Sequence, residues 1–168
     1  MRRGEALGLR WCDVDLDRGE AAVRQTVVSH HNAIAISEPK TSRGRRVVAL
    51  DDHTVEALRN FKAASRPGSD DALLFNYSTG TPLNPSDISK WFVKLGHVAG
   101  LKRIRLHDLR HTHATLALQA GVHPKVVSER LGHSTIAFTL DVYSHTIPHL
   151  QKEAARDVAA LLFTNQDP

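Results

Sequence analysis

Apolar residues recur every three or four positions through most of the chain, a spacing typical of amphipathic α-helices. The clearest stripe follows Asn84, a residue type that caps helices, and Pro85, which suits a first helical position. We expect the aromatic residues of this stripe, Trp91 and Phe92, to lie in the core. Further stretches of this kind begin near Asp51, His107, Pro124, Ser134 and Pro148.

Between residues 20 and 50 the pattern changes to short runs rich in valine, alanine and threonine, which are typical of β-strands. Three runs, 20–29, 33–37 and 46–50, predict a small three-stranded antiparallel sheet. The predicted fold class is therefore α+β and mainly α-helical. The last two runs flank a basic segment that is predicted to form a hairpin tip, either as a solvated turn or as a loop that follows a phosphate backbone. Its cationic residues are Lys40, Arg43, Arg45 and Arg46.

Composition limits the class of protein more than it identifies one. The 168 residues suffice for one domain, and 41% of them are hydrophobic. No apolar run approaches the roughly 20 residues of a membrane span, so we expect no membrane association. One cysteine excludes an internal disulfide and fits a reducing cytoplasm. A net charge of +4 permits a polyanionic partner without indicating one.

The most informative stretch for chemistry is Leu-His-Asp-Leu-Arg-His-Thr-His-Ala-Thr, which begins at Leu106. His107 and Arg110 are three residues apart, so their Cβ atoms would lie roughly 5–6 Å apart on one helix face, with the opposite face in the core. Two cationic donors on a rigid support suit an anion such as a phosphate ester. An alternative is a zinc site formed by His107, His111 and His113, although Arg110 would repel a dication.

Two other motifs carry chemistry. At the start of the chain, Arg2 and Glu5 have the spacing that lets a carboxylate hold a guanidinium group. Further on, a Leu-Gly-His motif contains His133, and Tyr143 follows it ten residues later. Taken singly, His133 would be interpreted as a helix-capping imidazole and Tyr143 as a buried or edge tyrosine.

Taken together, these motifs resemble the catalytic domain of the tyrosine recombinases, or phage integrases. The resemblance covers nearly the whole chain and follows the family's order. It implies the family's DNA breaking and rejoining fold with a small three-stranded antiparallel sheet, and it implies no cofactor and no metal. The stretches that carry it are RRGEALGLRW, EPKTSRGRRVVAL, LHDLRHTHAT and LGHSTIAFTLDVYSH.

The resemblance also implies a role for each matching residue. Arg2 and Arg110 would clamp the phosphate, and Glu5 would support Arg2. Tyrosine has a reference pKa near 10 and needs a base or a strongly cationic environment to act as a nucleophile. The remaining implied roles are Tyr143 as the nucleophile, His107 and His133 as further groups at the phosphate with His107 as the candidate base, and Lys40 as the general acid.

The implied function is site-specific DNA recombination, integration or excision, through a 3′-phosphotyrosyl intermediate. That intermediate stores the bond energy, so rejoining needs no ATP. The implied partners are double-stranded DNA, contacted by Lys40, Arg43, Arg45 and Arg46, and further recombinase protomers, which form a tetramer on DNA in the full-length protein. We expect a cytoplasmic, DNA-associated protein.

The chain departs from the family pattern at its beginning. Residues 1–168 are expected to form a catalytic domain that lacks its first helices and the N-terminal core-binding domain. We therefore expect weak, salt-sensitive DNA binding and little or no recombination by this chain alone. Two other functions remain open: a non-catalytic DNA-binding remnant of an integrase, and an unrelated metal-dependent hydrolase that uses His107, His111 and His113.

Overall fold

The computed structural model describes residues 1–30, 33–38, 44–133, 135–137, 139–141 and 150–163, without the side chains of 150–154. Among the described residues, the α-helices include α1 Arg3–Leu7, α2 Asp52–Ser65, α3 Pro85–Val98, α4 Asp108–Gln119, α5 Pro124–Leu131 and α6 Leu150–Phe163. The strands are β1 Val14–Asp15, β2 Glu20–Val23, β3 Thr26–His30, β4 Ala33–Ser37 and β5 Arg46–Ala49. This composition confirms the mainly helical α+β class.

The strands form two small antiparallel sheets. β1, β2 and β5 form a three-stranded sheet in that order, in which Val23 pairs with Arg46. β3 and β4 form a separate two-stranded sheet. The prediction of one strand over residues 20–29 was wrong, because the chain leaves the first sheet at Arg24 and Gln25, where the Gln25 side chain donates to the Gly8 carbonyl at 2.9 Å. In the chain, the basic segment thus lies between β4 of one sheet and β5 of the other.

Two apolar clusters form the core. One joins α4 to α5 through Ala114, Leu118, Val127 and Leu131. The other is built around Leu9, Trp11 and Leu74, which lie outside the α-helices and strands. The first cluster fixes the end of α5, because Leu131, the last residue of that helix, belongs to it.

The buried face of α4 differs from the predicted one. Arg110, Ala114 and Leu118 are buried at four-residue intervals, whereas Leu109 and Leu116 are exposed. The prediction that the cationic face lies opposite the core was therefore wrong. Arg110 shares the stripe that packs against α5, and its guanidinium group is consequently held by the core.

The apolar stripe of α3 is also exposed in the described structure. Trp91, Leu95 and Val98 have exposed fractions of 48%, 67% and 77%, so the prediction that Trp91 lies in the core was wrong. The partly covered side of α3 carries Ile88, Ser89 and Phe92, and Arg3 donates to the Ser89 hydroxyl there, which leaves Trp91 on the solvent side. Phe92 is partly buried.

The helix α1 packs closely against β3. A Cβ atom on Gly4 would lie 2.5 Å from the Val27 carbonyl oxygen, so only glycine allows this approach. The contact fixes the first helix, and with it the residues that precede it.

Within the described parts of the chain, no helix combines the length and the apolar character required to cross a bilayer.

Candidate active site

A buried carboxylate, Glu5, organises the first half of the site. Its side chain is 6% exposed and forms ion pairs with Arg2, directly before α1, and with Arg46, the first residue of β5. The backbone and side chain of Arg2 donate to it at 2.6 and 2.9 Å, and Arg46 donates at 2.7 and 3.2 Å. Burial alone would raise the pKa of Glu5, but the hydrogen bonds from Arg46 and Arg2 outweigh it and lower the pKa to about 2.

The end of α5 organises the second half through three successive carbonyl groups. The Arg130 carbonyl accepts from Arg46 Nε at 2.9 Å, and the Gly132 carbonyl accepts from Arg2 Nη2 at 2.7 Å. Between them, the Leu131 carbonyl accepts from Arg110 Nη2 at 2.5 Å. The last carbonyls of a helix lack partners within the helix and carry partial negative charge, so guanidinium groups suit them. One turn therefore orients three arginines.

Arg110 has an unsatisfied donor inside this cluster. Its Nη1 atom is buried and has no hydrogen-bond partner among the described residues. Burial, followed by the charge of Arg2, lowers the pKa of Arg110 to about 10, so the group stays protonated at neutral pH. A buried donor without a partner is unfavourable unless a ligand accepts from it. Of the described side chains in the network, three guanidinium groups face the single Glu5 carboxylate, which leaves about two positive charges for an anion.

His107 directly precedes α4, and its ring contacts the ring of His111 edge-on, with centroids 4.9 Å apart. Desolvation, His111 and Arg110 lower the pKa of His107. The neutral imidazole is therefore favoured, which is the form that accepts a proton. Arg2, His107 and Arg110 line the same cavity of about 420 Å³, so the structure brings these three predicted residues together.

His133 lies directly after Gly132 and is neutral at neutral pH. Burial lowers the pKa of His133 to about 4, with further contributions from Arg110 and Arg2. Its Nδ1 atom shares a hydrogen bond of 2.8 Å with the hydroxyl of Thr139, which is fully buried. Sequence reasoning missed Thr139. The available signal was its position three residues after Ile136 on an apolar helical stripe, where a buried hydroxyl group requires a partner.

The predicted DNA-contacting residues separate into two groups. Arg45 is exposed and pairs with Glu38. The side chain of Arg46 is only 9% exposed, because residues two apart share a face of a strand and Arg46 points inward with the buried Val48. Its contact with DNA stays a prediction. Lys40, Arg43 and Tyr143 lie outside the described residues, and their roles remain predictions.

The histidines of the alternative metal site make other contacts. Arg130 Nε donates to His113 Nε2 at 3.2 Å, so that ring nitrogen already accepts a hydrogen bond. In the described part of the chain, no group of three or more histidine, cysteine, aspartate or glutamate side chains is placed to hold a metal ion.

Comparison with known proteins agrees with this geometry. The model of the phage integrase family matches residues 1–149. The ICEBs1 integrase of Bacillus subtilis is 31% identical, over 96% of this chain and 46% of that protein. A protein named tyrosine recombinase XerC-like, from Caldanaerobacter subterraneus, is 30% identical over 92% of this chain and 44% of its own length. The chain thus spans about half the length of the curated relatives it matches.

Solved structures show the same fold. The Tn1549 transposon integrase, in complex with transposon right end DNA, superposes with a TM-score of 0.82 at 26% identity, over 95% of this chain and 55% of that one. The XerA recombinase superposes with a TM-score of 0.70 at 27% identity, over 93% of this chain and 51% of that one. The arginine cluster, the fold and the sequence matches lead to one conclusion: this chain belongs to the phage integrase family of tyrosine recombinases.

Proposed function

We propose that this chain is the catalytic part of a site-specific DNA recombinase, which cleaves and rejoins DNA strands through a 3′-phosphotyrosyl intermediate. The observation that carries the proposal is the buried Nη1 of Arg110, which has no partner among the described residues in a cluster with an excess of positive charge. A phosphodiester supplies oxygen acceptors and negative charge together. Relatives named as integrases, and a similar integrase in complex with DNA, support the same substrate.

In the proposed cleavage step, the Tyr143 oxygen attacks the phosphorus atom and the bond to the 5′ oxygen breaks. His107 takes the proton from the tyrosine, and Lys40 gives a proton to the departing 5′ oxygen. Arg2 and Arg110 stabilise the negative charge that develops on the non-bridging oxygens. The roles of Lys40 and Tyr143 rest on the family resemblance.

His133 supports the same step as a neutral hydrogen-bond partner for the phosphate. With a pKa of about 4, it carries no charge at neutral pH. When the Thr139 hydroxyl donates to Nδ1, the remaining ring proton sits on Nε2. Thr139 then selects the tautomer of His133.

Rejoining reverses the step, because a 5′-hydroxyl group attacks the phosphotyrosine and releases Tyr143. Exchange between two DNA sites needs several protomers, and we propose that the protein assembles as a tetramer on double-stranded DNA. The exposed cations of the basic segment, including Arg45, would contact the DNA backbone. A DNA substrate and a single free cysteine support a cytoplasmic location on the nucleoid.

A suicide substrate tests the proposal. A DNA duplex nicked close to a candidate site is incubated with the chain and with Tyr143→Phe, and denaturing gels are examined for a protein–DNA adduct. We expect an adduct with the wild-type chain and none with the variant. DNA binding without an adduct, by a folded protein, would instead identify a non-catalytic remnant.

A further inference from the structure

We propose that Arg46 is a positioning residue of the recombinase site, which holds Glu5 and the end of α5 in the geometry that aims Arg2 at the phosphate. The inference rests on the proposed function. It gives Arg46 a role distinct from the contact with the DNA backbone that its place in a basic segment suggests.

Arg46 donates to both carboxylate oxygens of Glu5. One carboxylate oxygen of Glu5 accepts from Arg46 Nη2 at 2.7 Å and from the Arg2 backbone at 2.6 Å. The other accepts from Arg46 Nη1 at 3.2 Å and from Arg2 Nη1 at 2.9 Å. Each oxygen is therefore shared by the two arginines. If Arg46 is lost, neither oxygen keeps its second donor.

Arg46 also contacts the end of α5. Its Nε donates to the Arg130 carbonyl, two residues before the Gly132 carbonyl that holds Arg2. A Cβ atom on Gly132 would lie 2.7 Å from Arg46 Nη1, so the guanidinium group packs directly on the turn. Gly132 also has a φ of 66°, which glycine adopts without strain. Arg46 therefore joins both supports of Arg2, namely Glu5 and the turn.

The charges around Glu5 also support this role of Arg46. Arg2 from the start of α1, Arg46 from β5 and Arg110 from α4 all act on Glu5, and the amino group of Met1 also lies within electrostatic range. Because burial opposes ionisation of Glu5, removal of Arg46 would raise its pKa towards the assay range. A protonated Glu5 holds Arg2 less firmly, since the charge-assisted hydrogen bond becomes a neutral one.

Arg46 also lies close in the chain to the predicted general acid. It begins β5, six residues after Lys40, the predicted general acid. The contacts of Arg46 therefore fix the near end of the segment that carries Lys40. One side chain thus links three parts of the chain that are distant in sequence: the start of α1, the end of α5 and the basic segment.

The test compares Arg46→Met, Glu5→Gln and the double variant in single-turnover adduct formation on the nicked duplex, with DNA at saturation. For Arg46→Met we expect a fall of roughly 10- to 100-fold, in line with the effect of a misplaced catalytic group. We also expect a new loss of rate towards the acidic end of a profile from roughly pH 5 to pH 8. In the double variant that acid loss should disappear, because glutamine does not titrate.

Two further variants complete the design. Arg59→Met is the matched control, because Arg59 is exposed on α2 and pairs with the exposed Asp17; it should behave as wild type. Arg46→Lys retains the charge and serves if the methionine variant does not fold; we expect an intermediate rate and a weaker acid limb. An unchanged rate and pH profile in Arg46→Met, or a double variant that keeps an acid loss greater than that of the wild-type chain, would overturn the proposal.

Carbon-13 NMR of the Glu5 carboxyl group separates this proposal from the proposed function. Glu5 should stay ionised from roughly pH 4 to pH 8 in the wild-type chain and titrate within that range in Arg46→Met. If the wild-type chain forms no adduct, the proposed function fails, and the NMR titration still decides the role of Arg46. A Glu5 that titrates identically in both proteins counts against Arg46 in either case.

Discussion

Two arginine networks share the same local motif, one at the start of α1 and one directly after that helix. In each, an arginine and a carboxylate three residues later form an ion pair, Arg2 with Glu5 and Arg10 with Asp13. In both, the arginine backbone also donates to the carboxylate. The carboxylate side chains are almost fully buried, at 6% and 1% exposure. Sequence spacing therefore makes the two networks look equivalent.

Their charge balance differs. The second network adds Arg24 and Asp71, so its described side chains comprise two arginines and two aspartates. The first adds Arg46 and Arg110 with no further carboxylate among the described residues, and backbone carbonyls hold the extra arginines. A balanced network needs nothing else to be stable. An unbalanced one, held open by neutral acceptors, retains its affinity for an anion.

The largest effect should come from Arg110→Lys. Lysine retains the charge but loses the planar fork that bonds the Leu131 carbonyl and presents a second nitrogen. We expect adduct formation on the nicked substrate to fall by roughly 10²- to 10³-fold, the usual effect of removing one oxyanion donor. Arg10→Lys, the equivalent change in the balanced network, should lower the melting temperature without changing the rate of the folded protein. Similar rates for the two variants would remove the distinction between the networks.

The next effect concerns stability against pH. The folded-state pKa of Glu5, about 2, lies below its usual value of 4.5, so its contribution is complete above about pH 4.5 and is lost as the pH falls towards 2. A shift of this size corresponds to roughly 3 kcal/mol. Denaturant unfolding near pH 6 and near pH 3 should therefore show a large deficit for Glu5→Gln at the higher pH and a small one at the lower pH.

Asp13→Asn, measured near pH 6, gives the corresponding cost of losing a buried carboxylate in the balanced network. A deficit for Glu5→Gln that is the same at both pH values would contradict the assignment of Glu5 as the ionised centre of its network.

The smallest effect should be the response to a simple dianion. If the unbalanced network binds sulfate, sodium sulfate should stabilise the chain more than sodium chloride at equal ionic strength. At five to ten times the Kd the gain is about 1 kcal/mol. Sulfate also stabilises proteins generally, so the informative quantity is the part of the shift in melting temperature that Arg110→Lys removes. Arg10→Lys should retain the full shift; equal losses in both variants would indicate a general salt effect.

Local spacing predicted the parts of the site that local geometry determines. Arg2 with Glu5, and His107 with Arg110, lie three residues apart, and the structure places Arg2, His107 and Arg110 around one cavity. The face of α4 was predicted wrongly, because Leu109 and Leu116 match a helical stripe as well as Ala114 and Leu118 do. Only the packing of α5 against α4 decides between the two stripes.

The remaining parts depend on contacts between distant residues. Arg46 meets Glu5 across 41 positions and Arg130 across 84, and no pattern within β5 indicates either contact. Its inward direction also depends on strand register, since a shift by one residue would reverse the two faces of Arg46-Val47-Val48. Arg2 likewise meets Gly132 across 130 positions, through a backbone atom that every residue type possesses.

The three acceptors at the end of α5 are backbone carbonyls, so a side-chain substitution does not remove them. Peptide oxygens are not encoded by any codon, so alanine replacement of Arg130 or Leu131 leaves the acceptors themselves in place. A mutational map of side chains would therefore show the arginines as sensitive but would not report the groups that orient them, and Leu131→Ala would register the loss of core packing instead. Replacing the amide that contains the Leu131 carbonyl with an ester would reveal the role of this acceptor. The ester weakens the acceptor while every side chain stays unchanged.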